Sequence, residues 1–343
     1  MKKLLPVLRN ILLFGLGIVL MYFAFKDQDL SSLWQKIKEA NYFWIGMSLL
    51  AGSVAYWSRA ARWKLLLEPL GYTPSISNTF ISLMVGYIAN LALPRLGEVL
   101  RCTLLNRLEK VPIEACLGTV VAERVFDLIM LIILISTTIL VESDLLRDFI
   151  FGIFSSKMEN GAAAASSATL YWILGGLLVL GLILLWVLIK YQHYLHRYKL
   201  YVKAATFLKG IAKGLVSVKN LKHPWLFVMH TLLIWFMYFN ITFMAFFALA
   251  ETAGLSWKAS LSTTVIGGLG MSAPVQGGLG IFHTLVQGGL QLYGVDKTTG
   301  LSMATILHGS QTIFVIIVGG ICLLMSIARV KTNKANADLQ QNL

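Results

Sequence analysis

Three ionisable residues, Glu123, Arg124 and Asp127, fall inside one long apolar stretch of the chain. Residues 128–141 are too few to cross a bilayer core, which needs about 20 apolar residues, so the span must begin before this group. Glu123 and Asp127 are four apart and share one face of a helix. Charges at this depth are costly and usually face a partner or a water-filled cavity. The group predicts a polar site within the membrane; the alternative is an Arg124–Asp127 pair that only fixes helix packing.

A second group of charges stands where an apolar stretch is broken by Pro94 and Gly97. A helix that restarts near Glu98 would direct its free N–H groups and partial positive charge into the protein, where an anion is stabilised. Arg95 and Arg101 add guanidinium groups suited to a phosphate, and Glu98 could orient one of them. In the alternative, the two arginines only reach out to the cytoplasmic surface of the membrane.

A further apolar stretch is broken by Pro274 and by three clustered glycines, Gly277, Gly278 and Gly280. The glycines let the backbone turn tightly and approach a ligand, and the limb that follows offers another helix N-terminus. His283 lies one turn into this limb and could change its protonation state, although a lone membrane histidine is more often simply hydrogen-bonded. Polar residues that could line the same region are Gln276, His308 and Gln311.

Arg59, Arg62 and Trp63 follow another apolar stretch and suit the boundary between membrane and water. Tryptophan is enriched at that boundary, and the two arginines could hold lipid phosphates. We therefore predict that these three residues contact lipid at the interface. Anchoring of a cytoplasmic loop by positive charge alone explains the arginines equally simply.

The composition requires a bilayer, because 57% of the residues are hydrophobic and only 13% are charged. The net charge of +13 is explained by basic cytoplasmic loops, so no nucleic-acid partner is expected. The sequence has no nucleophile–base arrangement, no metal-ligand spacing and no G-x-x-x-x-G-K-[ST] loop. We therefore expect no cofactor and no enzymatic activity, and we expect the three cysteines to be packing residues.

The charges between the apolar stretches predict how the chain crosses the membrane. The N-terminal side is basic, and residues 190–224 hold eight lysines and arginines without an acid, so both are predicted to be cytoplasmic. The acidic segment 142–169 is predicted to lie outside. These assignments need six full spans with both termini in the cytoplasm, at residues 8–25, 42–58, 114–141, 170–189, 225–250 and 301–328.

Two apolar stretches then cannot be simple spans. If 77–108 and 259–294 are re-entrant helical hairpins that enter from opposite faces, the positive-inside rule is satisfied throughout. Such a pair is typical of transporters with an inverted repeat. Two full crossings by 259–294 are the alternative. The expected fold is an all-α polytopic membrane protein, with one transmembrane domain over 1–330 and a short cytoplasmic tail over 331–343.

In these motifs the chain resembles the flippase-like family named for the lysylphosphatidylglycerol synthase transmembrane region, also called the UPF0104 group. The resemblance covers about residues 8–328, and the combination of motifs in this order is fairly specific. Its motifs are Arg59-x-x-Arg62-Trp63, Asn90-x-x-Leu93-Pro94-Arg95-x-Gly97-Glu98-x-x-Arg101, Glu123-Arg124-x-x-Asp127 and Gly277-Gly278-Leu279-Gly280.

The resemblance implies an integral membrane domain that moves a phospholipid between leaflets, with re-entrant helices forming the cavity. Members commonly carry an acid at the position of His283, so a coupling role for that acid does not carry over. Multidomain members append a soluble aminoacyl-transfer domain, whereas this chain stops soon after its last span. Lysyl transfer is therefore not expected.

The leading hypothesis is a phospholipid flippase of the bacterial cytoplasmic membrane. Arg95, Arg101 and Arg124 would hold a phosphate, and the carboxylates of Glu98, Glu123 and Asp127 would balance those charges or contact an amino headgroup. The alternatives are a membrane-embedded transferase that acts on a lipid-linked substrate, with Glu123 or Asp127 as base, and a non-transporting partner of a soluble or membrane lipid-modifying enzyme.

Overall fold

The computed structural model describes residues 4–26, 28–93, 96–143, 221–273 and 275–341. Within these ranges the chain forms ten α-helices and no strand. The helices are α1 (Leu4–Phe25), α2 (Leu30–Glu39), α3 (Tyr42–Leu67), α4 (Ile76–Ala92), α5 (Leu96–Glu109), α6 (Ile113–Val141), α7 (Pro224–Phe246), α8 (Trp257–Ser272), α9 (Ile281–Gln291) and α10 (Lys297–Gln341). Short 3-10 turns occupy Glu68–Leu70 and Gln276–Gly278.

Several helix starts are set by capping side chains. Asp29 accepts a hydrogen bond from the Ser31 N–H at the start of α2, and Asn41 accepts one from the Phe43 N–H at the start of α3. Ser75 and Ser256 cap α4 and α8 in the same way. Each cap satisfies a backbone N–H that has no partner inside its helix, and this marks the boundary at which the helix begins.

Three described helical segments are long and apolar enough to cross a membrane: α6, α7 and the Lys297–Asn333 part of α10. The full α10 has 45 residues, about 67 Å at about 1.5 Å per residue, so it extends well beyond a bilayer core. The prediction of an all-helical membrane protein is confirmed. The predicted span 170–189, the 190–224 loop except its last residues, and nearly all of 142–169 lie outside the described residues.

The stretch predicted as the first hairpin forms two antiparallel helices, α4 and α5, which we call the first hairpin. At its open end, the Glu109 carboxylate accepts hydrogen bonds from Ser75 and Asn78. Near the break, the Gly97 N–H donates to Asn90 Oδ1 at 2.7 Å, and the two backbones are so close that a Cβ at Gly97 would overlap the carbonyl oxygen of Gly86. Glycine is therefore needed here for close helix packing.

The second predicted hairpin also forms two antiparallel helices, α8 and α9, which we call the second hairpin. Tyr293 donates to Ser262 at 2.7 Å at its open end. Its turn contains Gly277, Gly278 and Gly280, all with positive φ between 57° and 78°. This backbone conformation is strained for other residues, so the glycines build the turn.

The closed ends of the two hairpins meet. The Gln276 side chain of the second hairpin donates to the Ala92 carbonyl at the end of α4, at 3.3 Å. His308 on α10 donates from Nε2 to the Gly277 carbonyl at 2.7 Å. Helix α1 packs against the same turn, where Gly280 leaves no room for a Cβ beside Leu20. Two breaks about 180 residues apart in sequence therefore lie together in the fold.

We expect Gly97→Ala to lower the free energy of unfolding by about 1–3 kcal/mol, the usual cost of overpacking a tight interface. Gly118→Ala is the matched control, because the space around Gly118 on α6 is open to 4 Å. Chemical unfolding of both variants in detergent micelles measures the difference. Equal stability of the two variants would contradict the close packing of α4 on α5.

Candidate functional site

Asp127 of α6 is held by two arginines from α3. Its carboxylate accepts from Arg59 at 2.9 Å and from Arg62 at 2.6 Å. Arg59 and Arg62 are three residues apart and so lie on one face of α3. Arg59 also donates to the hydroxyl of Tyr238 on α7 at 3.1 Å. These contacts join α3, α6 and α7 through charged groups.

Glu123, one turn before Asp127, holds the third arginine. Arg101 of α5 donates to Glu123 at 2.5 Å, and the Arg62 guanidinium lies 3.9 Å from the other oxygen of the same carboxylate. The Arg101 guanidinium also lies 4.5 Å from the centre of the Trp63 ring, in a cation–π contact. Trp63 is fixed in turn by a 2.9 Å hydrogen bond to Thr119. We call Arg59, Arg62, Arg101, Glu123 and Asp127 the ion cluster.

The ion cluster is almost entirely buried. Arg62 and Glu123 have no exposed surface, and Arg59 and Arg101 are 4% and 3% exposed. Three guanidinium groups face two carboxylates, so the cluster has one formal positive charge in excess. The Nε–H groups of all three arginines and one Glu123 oxygen have no hydrogen-bond partner. The cluster therefore has both the charge and the free donors to accept an additional anion.

A fourth arginine lies at the edge of this cluster. Arg124 donates to Glu98 of α5 at 3.2 Å and lies 3.9 Å from Asp127. Its side chain is 48% exposed, against 0% for Arg62. We call Arg124 and Glu98 the rim pair, because it separates the buried ion cluster from the surroundings of the helix bundle.

A small cavity lies directly behind the rim pair, between α4, α5 and α6. Its volume is about 10 Å³, and its lining residues are Leu83, Gly86, Tyr87, Asn90, Gly97, Glu98, Arg101 and Arg124. This is about the space for one water molecule. One oxygen of Glu98 is buried there without a partner. The cavity therefore has polar and apolar walls and reaches Arg101, but this arrangement is too tight for a lipid headgroup.

The structure brings together five of the residues predicted from the first two motifs: Glu98, Arg101, Glu123, Arg124 and Asp127. The alternative of a simple Arg124–Asp127 pair is incomplete, because Asp127 bonds to Arg59 and Arg62 while Arg124 bonds to Glu98. Arg95, predicted as a phosphate ligand, lies outside the described residues.

Arg59, Arg62 and Trp63 require a correction. They were predicted to contact lipid at the membrane interface, but all three are buried inside the bundle and Trp63 has no exposed surface. The physical reason is that carboxylates on α6 pair with Arg59 and Arg62 in place of a lipid phosphate. The two arginines follow an apolar stretch in the sequence and do not reveal this by themselves, although Glu123 and Asp127 inside another apolar stretch indicated that partners were needed.

The predicted residues of the second hairpin are not bonded to the ion cluster. Among the described residues, no hydrogen bond or ion pair links Gly277, Gly278, Gly280 or His283 to the ion cluster. His283 is 3% exposed and its ring lies 5.0 Å from that of His308. Sequence reasoning missed Tyr238 and Tyr87, which carry no charge pattern that marks them, and it included Asn90 only as part of the family motif.

No metal site is found in the part of the chain that the structure describes, since no three His, Cys, Asp or Glu side chains there stand close enough to bind one ion. The cysteines are free and buried. The described residues therefore form a helical membrane protein in which a buried arginine–carboxylate cluster contacts α5 of the first hairpin.

Comparison with known proteins gives the family. The lysylphosphatidylglycerol synthase TM region family matches residues 10–319, and the chain belongs to this family. A UPF0104 membrane protein of Methanocaldococcus jannaschii is 37% identical over 71 residues. That match covers 20% of this chain and 21% of the archaeal protein, so it supports the family and carries no activity across. No solved structure matches.

We expect Glu123→Gln to lower stability by about 3–5 kcal/mol, because it leaves Arg101 and Arg62 buried without their shared carboxylate. Glu114→Gln is the control on the same helix, since Glu114 is exposed and its loss should change stability by less than about 0.5 kcal/mol. Thermal unfolding in micelles compares them. A Glu123→Gln protein as stable as the control would show that the cluster is not an integral part of the fold.

Proposed function

We propose that this protein is a flippase that moves a phospholipid with a polar or anionic headgroup between the leaflets of the cytoplasmic membrane. The observation that carries the proposal is the ion cluster, with its excess positive charge and free donors, beside a small cavity that the rim pair closes. Membership of the lysylphosphatidylglycerol synthase TM region family supports a role connected with membrane lipids.

The proposed topology has six full spans, two re-entrant hairpins that enter from opposite faces, and both termini in the cytoplasm. The lengths of the hairpin helices support it. Helices α4 and α5 have 17 and 14 residues, about 25 and 21 Å, and α9 is shorter still at 11 residues. None of the three spans a core of about 30 Å. Short helices whose closed ends meet inside the bundle are how transporters place polar groups at membrane depth.

In the proposed mechanism, the lipid phosphate enters by replacing Glu98 as the partner of Arg124. The phosphate then reaches the free donors of Arg101 at the back of the cavity, while the acyl chains stay in the bilayer. Because the cavity holds only about one water molecule, α5 and α6 must separate at the rim pair to admit a headgroup. The arrangement described here is accordingly a closed state of the transport cycle.

The same geometry gives less support to the alternative of a membrane-embedded transferase that acts on a lipid-linked substrate. Glu123 and Asp127, the two residues that could act as base, are each hydrogen-bonded to arginine. Carboxylate oxygens that already accept from guanidinium groups are not free to accept a hydrogen bond from a substrate. The alternative of a non-transporting partner protein depends on the basic 190–224 loop. It predicts that charge substitutions in that loop impair the protein's function more than substitutions at the rim pair do.

The test is leaflet translocation in liposomes that contain the purified protein, with headgroup-labelled anionic and zwitterionic phospholipids in separate samples. We expect Arg124→Gln to slow translocation by about 10- to 100-fold, since a hydrogen bond to a charged group contributes about 1.5–3 kcal/mol. Arg107→Gln is the control, because Arg107 is an exposed arginine on α5 outside the site.

Three outcomes distinguish the flippase from the transferase and the partner protein. Translocation that Arg124→Gln slows and Arg107→Gln leaves unchanged supports the flippase. Equal rates in the two variants exclude the rim pair from the lipid path. Absence of movement for every lipid, with folded wild-type protein, contradicts the proposal and favours the enzyme or partner readings.

A further inference from the structure

Two histidines share a buried site at the meeting point of the hairpins. His283 on α9 and His308 on α10 have ring centres 5.0 Å apart, at an interplanar angle of 84°. His283 is 3% exposed and His308 is 9% exposed. The transport path proposed above uses neither residue, so their burial is not explained by lipid binding.

The hydrogen bonds of the pair fix one proton and leave one nitrogen free. The Gly277 carbonyl can only accept, so His308 Nε2 carries a hydrogen. His283 Nδ1 is buried and has no hydrogen-bond partner. A buried ring nitrogen without a partner costs free energy in the closed arrangement, and this cost is removed if water or a proton reaches the ring.

The surroundings of the pair are aromatic and uncharged. Helix α1 contributes Phe25, whose ring centre is 6.1 Å from His283, and α9 contributes Phe282, which is 5.2 Å from His308. The turn Gln276–Gly278 contributes a backbone carbonyl. Among the described residues, no hydrogen bond or ion pair joins either ring to a carboxylate, a lysine or an arginine.

We propose that His283 and His308 form a proton-binding site whose occupancy controls the contact between the two hairpins. An imidazolium buried without a carboxylate is costly, so both rings are neutral in the closed arrangement. A proton reaches the pair only with water, and water enters only when the turn of the second hairpin moves away. The protonated pair therefore belongs to an open arrangement, and proton binding shifts the population towards it.

The pair is well placed to pass this change to the first hairpin. His308 holds the Gly277 carbonyl, and the neighbouring Gln276 holds the Ala92 carbonyl at the end of α4. Movement of the turn thus breaks the hydrogen bond between the hairpins. At a ring separation of 5.0 Å, like charges oppose each other, so the site takes one proton and not two.

The experiment measures the separation of the hairpins and does not depend on lipid transport. Spin labels are attached at Leu93→Cys and Ser272→Cys, exposed positions at the ends of α4 and α8, in protein reconstituted in nanodiscs. The native cysteines are buried. We expect the distance between the labels to shift to longer values when the pH falls from about 8 to about 5, the range over which histidine changes its charge.

Variants assign the effect to the pair. His283→Asn and His308→Asn are each expected to abolish the shift, whereas His223→Asn, which removes an exposed histidine before α7, should leave it intact. An unchanged distance in the wild-type labelled protein at both pH values overturns the proposal, whatever the variants do. A full shift that persists in both His283→Asn and His308→Asn overturns the assignment to this pair.

A pH gradient imposed on the liposome assay then tests coupling separately. The label distances are measured without lipid movement. A protein that shows the distance shift but moves no lipid would support the proton site and contradict the flippase proposal. A protein that moves lipid without the distance shift would support the flippase proposal and contradict the proton site.

Discussion

The fold depends on how charged side chains are kept within an apolar bundle. Arg62 and Glu123 have no exposed surface, and a charge buried in this way is tolerated only with a partner. The partners come from three helices: α5 and α6 are consecutive in the sequence, whereas Arg59 of α3 lies 68 residues before Asp127 of α6. The ion cluster therefore requires α3, α5 and α6 to be neighbours, and this places the first hairpin through its helix α5.

The second constraint is backbone polarity at the broken helices. A helix that stops inside the bundle leaves N–H and carbonyl groups without partners, and these must be satisfied within the protein. Here the first hairpin uses Asn90 at Gly97, and the two closed ends are joined through Gln276 and Ala92. Polar groups are thus gathered at the closed ends of the hairpins by the needs of the fold.

The sequence predicted the parts that depend on local rules. Proline and glycine marked both breaks, apolar length marked the long helices, and the spacing of Glu123 and Asp127 placed them on one helix face. The partners of those charges were harder to predict. Arg59 and Arg62 follow an apolar stretch just as interfacial arginines do, so only the packing of α3 against α6 and α7 reveals that they are internal. Tyr238 carries no charge and was not noticed, and Asn90 was noticed only as part of a motif and not as the hydrogen-bond partner of Gly97.

The central claim is that a phospholipid headgroup enters between α5 and α6 at the rim pair. Its most direct test is photo-crosslinking of a phospholipid with a photoreactive headgroup to the protein in liposomes, followed by peptide mapping. The account predicts crosslinked peptides from Leu96–Glu109 and Ile113–Val141, and competition by unlabelled lipid of the same headgroup. Crosslinks confined to lipid-facing surfaces such as that of α1, with no competition, would contradict it.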